Sequence, residues 1–567
     1  MVILLRLWVF ARPVITLFLV AFLASIGSGM IDAGFLALVK ISIDRTYADY
    51  HLSYHHILLL LFIAILARTV FSIIAELGVF RFGRKIVMGL RIALYQQLVG
   101  IPVKDAEQHS TGELATKLIY HTEQLGNGFL SVLQSLLQEG VVVLAITAAL
   151  FYINWRLTLI LFLTYPIIGI SIKYAAVYMN KHQSAMQNNL ESIAHFVDET
   201  RLGIKTICMQ NVSEKLKAIY QSMVQSNTLH QFKINQASTL SSACSHFMVS
   251  LPIIGLIWLM LAFPKYVTQG DIAAIIIGMT RIYQPVKRIS KINVDLQSAI
   301  VAGESLFRWL DIHPERLNGK VVEFKQPPKI VLKNVSMVRT ERPILQHVSL
   351  TVESGQIVAF AGESGSGKSS LILAITGLVP VDKGRIRVGE NYLDQINLSS
   401  WRHQIGYVDQ ILPLFNLSIA ENIAFFKPLD VHKLKKAAYI AGLNETDFED
   451  GFEQMVDYGG HNLSNGQKQR IVLARAIYHA NNILIIDEAT SALDQETESK
   501  VYRRIKEQLP EMTVILTSHR PAGLQFADRI YVISKGRIVE QGDYESLMKA
   551  NDHLAQIMEH RDNESIT

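Results

Sequence analysis

Long apolar stretches separated by polar segments fill the first half of the chain. A helix that crosses a bilayer needs about 20 largely apolar residues. Six stretches reach or approach that length, and the sixth is the shortest and most polar. We therefore expect six transmembrane helices, over residues 14–39, 57–80, 129–151, 157–178, 245–263 and 272–286.

Lysine and arginine are unevenly distributed between these stretches. They crowd the long connections after the second and fourth stretches and the segment after the sixth. The turns at 154–156 and 264–270 are short and nearly uncharged. Because cytoplasmic loops carry an excess of Lys and Arg, we expect both termini and the long connections in the cytoplasm, with residues 40–56 outside.

The pattern of apolar residues changes between the two halves of the chain. Apolar positions recur at helical spacing through the long connections, which predicts that membrane helices continue into the cytoplasm. Near Pro314 and Pro327, strand-like segments and turns begin, and strands then alternate with helices. We place a transmembrane domain at residues 1–310, a linker at 311–328 and an α/β domain at 329–567.

Composition agrees with a membrane protein of more than one domain. The 567 residues are too many for one compact core, and the mean hydropathy is +0.25. The net charge of +5 is small for this length and does not suggest a nucleic-acid partner. The two cysteines, Cys208 and Cys244, have no metal-binding spacing and fit a reducing compartment.

A glycine-rich loop follows an apolar run and precedes a helix-forming one, the context of a phosphate-binding P-loop. Its backbone N–H groups and the helix N-terminus would attract phosphate. Lys368 would reach the β- and γ-phosphates, and the Ser369 hydroxyl would join the Mg²⁺ shell. The nucleotide-binding residues expected in the loop are Gly362, Glu363, Ser364, Gly365, Ser366, Gly367, Lys368, Ser369 and Ser370. The fold class expected is thus a membrane all-α six-helix bundle with long cytoplasmic helical extensions, followed by an α/β P-loop ATPase domain.

A second apolar run ends in the carboxylates Asp487 and Glu488. A buried strand would deliver both to the carboxyl end of a parallel sheet, where ligands bind. Asp487 would hold Mg²⁺ through water, and Glu488 would act as general base on the attacking water. Alone, such a strand end is as often structural as catalytic, but the P-loop upstream favours catalysis.

The segment 463–467 leads into a strongly helical stretch. Ser464 suits the N-cap of that helix, where its hydroxyl and the helix dipole would face an anion. An ordinary helix cap is the alternative interpretation.

Six motifs in order resemble those of the ATP-binding cassette domain of ABC transporters, over about residues 329–548. They are the P-loop at 362–370, the Q-loop residue Gln410, the signature at 463–467, the acidic pair at 487–488, the D-loop at 491–494 and the switch residue His519. With six spans ahead of the cassette, the whole chain resembles an exporter-type half-transporter. Residues 111–114 resemble the segment leading into the first coupling helix of that family.

The resemblance implies ATP and Mg²⁺ as cofactors and a dimer as the working unit. One chain carries one cassette, and in the family the signature serine contacts the γ-phosphate of ATP on the opposite P-loop. A homodimer is expected, and a heterodimer with another half-transporter is the alternative. The resemblance assigns Glu488, His519 and Lys368 to catalysis and Ser369, Gln410 and Asp487 to the metal. It assigns further nucleotide contacts to Gln410, Ser464, Asn465, Gly466, Gln467 and Asp494.

This sequence departs from the family pattern at three places. Arg339 stands where an aromatic residue often stacks on adenine, and a guanidinium can also stack; Met337 is the alternative. Asn465 replaces the usual first glycine of the signature, and asparagine tolerates positive φ. Tyr120 or His121 stands where an aspartate is common near the first coupling helix.

Charged and polar residues lie inside the predicted spans. A charged side chain at mid-bilayer costs roughly 2.5–3.5 kcal/mol on insertion scales, so contact with lipid is disfavoured. These side chains either pair with one another to fix helix packing or line a path for an amphipathic or charged cargo. The candidate pathway residues are Asp32, Arg68, Glu76 and Gln138.

The function expected is ATP-driven export across or out of the membrane by alternating access, performed by an ABC-type transport ATPase. Lipid, peptide and small-molecule cargoes all remain open. An ATP-switched channel or regulatory membrane protein is the alternative, which the Glu488–His519 pair disfavours. A soluble ATPase acting on nucleic acid or ribosomes is disfavoured by the six spans. We expect the protein in a bacterial inner membrane with its cassette in the cytoplasm.

Overall fold

The computed structural model describes residues 2–46, 53–109, 111–162, 165–262, 267–315, 318–339, 342–488 and 494–564. The chain divides into two compact units. We call Met1–Val99 with His109–His313 the helical unit. We call Gly100–Gln108 with Pro314–Thr567 the α/β unit.

Long helices dominate the first half of the chain. In chain order they are α1 (Val2–Ala11), α2 (Ile15–Ile43), α3 (Tyr54–Gly100), α4 (Val103–Ala106), α5 (Thr111–Thr116), α6 (Thr122–Gln134), α7 (Gly140–Phe162), α8 (Tyr165–Leu202), α9 (Ile204–Gln210), α10 (Ser213–Ala262) and α11 (Gln269–Leu310). The short helix α4 belongs to the α/β unit and the others to the helical unit.

Three helical stretches of the described residues are long and apolar enough to cross a membrane. They are Arg6–Ile43, Tyr54–Gly100 and Gly112–Leu159, and they contain the first three predicted spans. The fourth predicted span includes residues 163–164, and the fifth ends at residue 263, so parts of both lie outside the described residues. The sixth lies within α11.

The turn predicted after the third span is present as a break in α7. Asn154 has φ −157° and ψ 96°, which no helical residue adopts. Its side-chain oxygen accepts a hydrogen bond from the backbone N–H of Leu157 at 3.3 Å and so caps the helix that follows.

Apolar and small residues hold the helical unit together. Leu36, Ile146 and Ile275 belong to one buried cluster that joins α2, α7 and α11. Gly128 on α6 lets α11 approach closely, because a Cβ atom there would lie 2.7 Å from the carbonyl oxygen of Asp295. Small residues at a crossing are how membrane helices gain packing contacts without a hydrophobic driving force.

Ten strands form two sheets in the described part of the α/β unit. They are β1 (Ile330–Arg339), β2 (Arg342–Val352), β3 (Ile357–Ala361), β4 (Lys383–Val388), β5 (Asn391–Tyr392), β6 (Ile405–Val408), β7 (Ile483–Asp487), β8 (Thr513–Thr517), β9 (Arg529–Ser534) and β10 (Arg537–Gly542). The four-stranded sheet has the order β2-β1-β4-β5, and the six-stranded sheet has the order β10-β9-β3-β8-β7-β6. Strands β6, β7, β8, β3 and β9 run parallel to one another.

Helices connect and flank the strands of the α/β unit. They are α12 (Lys368–Ile375), α13 (Leu398–Arg402), α14 (Ile419–Ala424), α15 (Val431–Ala441), α16 (Asn465–His479), α17 (Gln495–Gln508), α18 (Pro521–Phe526), α19 (Tyr544–Ala550) and α20 (His553–Glu564). Every residue of β3, β7 and β8 is buried, as expected of parallel strands with both faces covered. The carboxyl ends of these strands therefore meet at one edge, which we call the catalytic edge. The predicted fold class, a helical bundle followed by an α/β domain, is confirmed.

Candidate functional site

The glycine-rich loop joins β3 to α12, as its sequence context predicts. Gly362 has φ +150° and Gly367 has φ +108°, values that favour glycine. A Cβ atom on Gly362 would also lie 2.3 Å from the carbonyl oxygen of Ile533. Glycine is therefore required at this position by both conformation and space.

Lys368 is buried beneath this loop. Its ammonium donates hydrogen bonds to the carbonyl oxygens of Gly362 and Glu363, both at 2.9 Å. It also lies 3.4 Å from Oε1 of Glu488. The structure thus brings together the predicted phosphate-binding lysine and the predicted base.

Asp487 is the last residue of β7 and is buried. Its Oδ1 accepts hydrogen bonds from Ser369 Oγ at 3.1 Å and Thr517 Oγ1 at 2.7 Å. Burial raises the pKa of Asp487, while these two hydrogen bonds oppose the increase. A hydroxyl and a carboxylate are hard oxygen ligands of the kind Mg²⁺ prefers, so Ser369 and Asp487 fit the predicted metal site.

No motif predicted Thr517 as a site residue. It ends β8 directly opposite Asp487 in the parallel register, so its hydroxyl reaches the carboxylate. The same hydroxyl accepts a hydrogen bond from the backbone N–H of Glu488 at 2.8 Å. Its place at the end of the strand beside the acidic pair is the signal that could have identified it.

Glu488 directly follows β7 and has φ +50°, a conformation that non-glycine residues seldom adopt. Nδ1 of His519, which follows β8, lies 3.8 Å from Oε1 of Glu488. The pKa of Glu488 is lowered chiefly by His519 and also by Lys368. The carboxylate therefore stays ionised at neutral pH, which a general base requires.

Gln410 follows β6, which pairs with β7 on the side away from β8. Val408, the last residue of β6, is opposite Ile486. Gln410 therefore lies at the catalytic edge next to the acidic pair, with its side chain exposed.

Ser464 is the N-cap of α16, which confirms the predicted cap. Its hydroxyl accepts a hydrogen bond from Gln467 N at 3.2 Å, and Oε1 of Gln467 accepts one from Ser464 N at 2.9 Å. This reciprocal capping box fixes the serine on the exposed surface. Asn465 is the first residue of α16 and is not among the residues with positive φ. The predicted reason for asparagine at this position, its tolerance of positive φ, is therefore wrong. As a helical residue, Asn465 has negative φ.

Asp494 caps the next helix in the same way. Its Oδ2 accepts a hydrogen bond from the backbone N–H of Thr497 at 2.9 Å, which lowers the pKa of Asp494. Residues 491–493 of the predicted D-loop lie outside the described residues. Within the described part of the α/β unit, neither Asp494 nor Ser464 is hydrogen-bonded to the glycine-rich loop.

Arg339 ends β1 and forms an ion pair with Glu107, with Nη2 at 3.0 Å from Oε2. It is opposite Arg342, the first residue of β2. Two residues further along β2, the carbonyl oxygen of Ile344 lies beside Gly367 of the loop. The hairpin end is thus near the nucleotide loop, and the adenine contact of Arg339 stays a prediction.

The candidate pathway residues have different surroundings. Asp32 on α2 is buried and accepts a hydrogen bond from Nε of Arg68 on α3 at 2.6 Å. Glu76 is exposed on α3. Gln138 lies in the π-helical turn Ser135–Glu139, and its buried Nε2 has no hydrogen-bond partner among the described residues. Internal pairing thus accounts for Asp32 and Arg68 but not for Glu76 or Gln138.

Comparison with known proteins agrees with this arrangement. The family model "ABC transporter transmembrane region" matches residues 13–282, and the model "ABC transporter" matches residues 345–491. An "ATP-dependent lipid A-core flippase" of Photorhabdus laumondii is 29% identical over 97% of this chain and 97% of its own length. A protein of the same description from Acinetobacter baylyi is 31% identical over 82% of each chain.

A solved structure shows the same fold. It is described as a bacterial Atm1-family ABC exporter with ATP bound, and it superposes with a TM-score of 0.81 over 95% of this chain and 98% of its own. Its sequence identity is 20%, so it supports the architecture alone. The chain therefore belongs to the ABC transporter family, and with one transmembrane region and one cassette it is an exporter-type half-transporter that uses ATP to drive export.

Proposed function

We propose that two copies of this protein move an amphipathic lipid across a bacterial inner membrane, with lipid A-core as the first candidate cargo. The observation that carries the proposal is the assembly of Lys368, Asp487, Glu488 and His519 at the catalytic edge. Full-length relatives described as lipid A-core flippases support the class of cargo.

Nucleotide binding follows from the loop and its neighbours. The backbone N–H groups of residues 362–367 and the N-terminus of α12 would hold the phosphates, with Lys368 as the counter-charge. Ser369, Asp487 and Gln410 would hold Mg²⁺, which neutralises phosphate charge when bound. Arg339 would contact the base.

Hydrolysis needs an ionised base held beside the γ-phosphate. Glu488 has its lowered pKa and its backbone fixed by Thr517, so it would orient the attacking water. His519, whose Nδ1 lies 3.8 Å from Oε1 of Glu488, would hold the γ-phosphate and that water in place. This chain's residues thus contribute positioning and charge at the reacting atoms.

A second copy would complete each site. Ser464 is exposed and fixed at a helix N-terminus, where an anion is favoured. It is not bonded to its own glycine-rich loop, and one chain carries a single cassette. We infer that Ser464 and Asp494 face the partner's nucleotide in a homodimer.

The Lys- and Arg-rich connections support an orientation with the cassette in the cytoplasm. The proposed transmembrane domain is residues 1–310 and the proposed cassette is 329–567, although Gly100–Gln108 groups with the α/β unit. In this arrangement the lipid would be taken from the cytoplasmic leaflet. The closing of the two cassettes around ATP would drive the switch of access from one side of the membrane to the other, because ATP binds the closed dimer more tightly than the open one.

The test is Glu488→Gln in protein reconstituted into nanodiscs and vesicles. Loss of the base should lower the rate of ATP hydrolysis by about 10²–10⁴-fold while nucleotide binding is kept. The matched control is Glu507→Gln, an exposed carboxylate on α17. Normal turnover in Glu488→Gln would contradict the assignment of the base.

A second arm tests the cargo. ATP hydrolysis by the unmodified protein should rise when lipid A-core is added to nanodiscs, and labelled lipid should move across the vesicle bilayer only with ATP. Hydrolysis that is active but indifferent to lipid would contradict the cargo and leave the catalytic assignment intact.

A further inference from the structure

A groove runs between α8 and α10, outside the candidate pathway. It encloses a cavity of about 390 Å³. Its walls include Tyr178 from α8 and Lys233, Gln236, Ala237, Leu240 and Cys244 from α10. Lys233 and Gln236 line one end of the groove, which we call the polar end, and Leu240, Ser241 and Cys244 line the other.

The length of the groove suits an elongated ligand. Lys233 and Cys244 are separated by eleven positions on α10, which corresponds to about 16 Å along the helix axis. Lys233 and Gln236 lie within one turn of α10, and Ala237 and Leu240 follow them along the same helix. A ligand lying along this groove would contact Lys233 at one end and the apolar side chains of Ala237 and Leu240 further along.

Two lysines and a hydrogen-bonded histidine pair lie at the polar end. Nδ1 of His182 on α8 lies 3.0 Å from Nδ1 of His230 on α10, and the Tyr178 ring packs edge-on against His182 with centroids 4.7 Å apart. Burial and then the charges of Lys233, His230 and Lys181 lower the pKa of His182. Two lysines and two histidines thus share one small region.

No described carboxylate neutralises this region. Among the described side chains, neither lysine nor either histidine forms a salt bridge with an aspartate or glutamate. Lys181 and Lys233 therefore leave the polar end with a net positive charge, which an anion would offset.

The groove crosses the predicted edge of the bilayer. Tyr178 ends the fourth predicted span, and Lys181 is the first charged residue after it. The two helices are antiparallel, since Asn189 and Ser226 are hydrogen-bonded at 3.1 Å further from the membrane. Ala237 and Leu240 consequently lie at the depth of Ala175, inside the apolar layer. In the proposed orientation, the charged end is at the cytoplasmic headgroups.

We propose that this groove binds an anionic phospholipid of the cytoplasmic leaflet, with its phosphate at Lys181, Lys233 and the histidine pair and an acyl chain along Ala237 and Leu240. Basic pockets between membrane helices on the cytoplasmic side recognise anionic headgroups in this way. The site rests on the proposed orientation but not on the proposed cargo. It lies on different helices from Asp32, Arg68, Glu76 and Gln138.

The test uses full-length protein in detergent, titrated with phosphatidylglycerol or phosphatidylcholine and analysed by native mass spectrometry. The double variant Lys181→Gln/Lys233→Gln removes one positive charge from the groove wall and one from beside the histidine pair. Its matched control is Lys205→Gln/Lys215→Gln, which removes two charges from exposed sites on α9 and α10. Affinity for phosphatidylglycerol should fall about tenfold in the first variant and stay within about twofold in the control.

A second measurement asks what occupies the groove. In a Cys208→Ser background, Cys244 should be labelled by a membrane-permeant maleimide and protected by phosphatidylglycerol but not by phosphatidylcholine. Equal affinity for the two lipids in the unmodified protein would overturn the proposal. Protection of Cys244 without added lipid, as a second copy covering the groove would give, would also overturn it. Normal ATP hydrolysis in the double variant together with lost binding would separate this site from the catalytic assignment.

Discussion

The catalytic edge and the interior of the helical unit treat charge in different ways. At the catalytic edge, Lys368, Glu488 and His519 lie together but only partly neutralise one another, at 3.4 and 3.8 Å. In the helical unit, Asp32 and Arg68 form a direct pair at 2.6 Å. The difference indicates that charged side chains at the catalytic edge remain available to bind a ligand. In the helical unit, the charges of Asp32 and Arg68 instead stabilise the packing of α2 against α3.

Lys368→Ala should give the largest effect. Removing the ammonium takes away the counter-charge for the phosphates, so ATP hydrolysis should fall by about 10²–10³-fold. Thermal stability in detergent should also fall, by about 1–3 kcal/mol, because the contacts to two loop carbonyls and to Glu488 are lost. The control is Lys383→Ala on the exposed surface of β4. Normal ATP hydrolysis by Lys368→Ala would contradict the interpretation that charge at the catalytic edge serves to bind the nucleotide.

Arg68→Ala should act on stability first. It leaves the buried carboxylate of Asp32 uncompensated, which should lower the free energy of unfolding by about 1–3 kcal/mol given the partial exposure of Arg68. The double variant Asp32→Asn/Arg68→Ala should recover part of that loss. Thermal unfolding in detergent measures both, and strict additivity would contradict a direct pair.

Thr517→Val should lower both the rate of ATP hydrolysis and the thermal stability. It removes the hydroxyl that bonds both Asp487 and the backbone N–H of Glu488, and an unsatisfied buried group costs about 1–3 kcal/mol. We expect lower thermal stability and about tenfold slower hydrolysis. Thr517→Ser keeps the hydroxyl and should restore most of the rate; if it does not, the methyl group rather than the hydroxyl matters.

Glu76→Gln should have the smallest effect on folding. Glu76 is exposed and forms no ion pair among the described residues, so Glu76→Gln breaks no such contact and should not destabilise the fold. If it lines the cargo path, lipid-stimulated hydrolysis should change while basal hydrolysis does not. A large loss of stability would instead place it with Asp32 and Arg68 as a packing residue.

Much of the catalytic edge was predictable because its parts are local in sequence. The glycine-rich loop, the acidic pair and His519 each follow a buried strand, and parallel strands bring their carboxyl ends to one edge. The cap at Ser464 is local too. These predictions needed no knowledge of which helices pack together.

Contacts between distant elements could not be predicted in this way. The Asp32–Arg68 pair depends on the rotation of α2 against α3, and the Arg339–Glu107 pair depends on where α4 lies beside β1. Thr517 needed the register of β7 against β8. The groove between α8 and α10 likewise depends on the antiparallel alignment of two long helices.

In the proposed dimer, each nucleotide lies between the glycine-rich loop of one copy and Ser464 of the other. The direct measurement is thiol cross-linking in a Cys208→Ser/Cys244→Ser/Glu488→Gln background, with Ser364→Cys and Ser464→Cys on separately tagged copies. We predict a cross-link between the two tags that forms with ATP and Mg²⁺ and is weak without them. A protein that stays monomeric, or a cross-link yield that ignores nucleotide, would contradict the account.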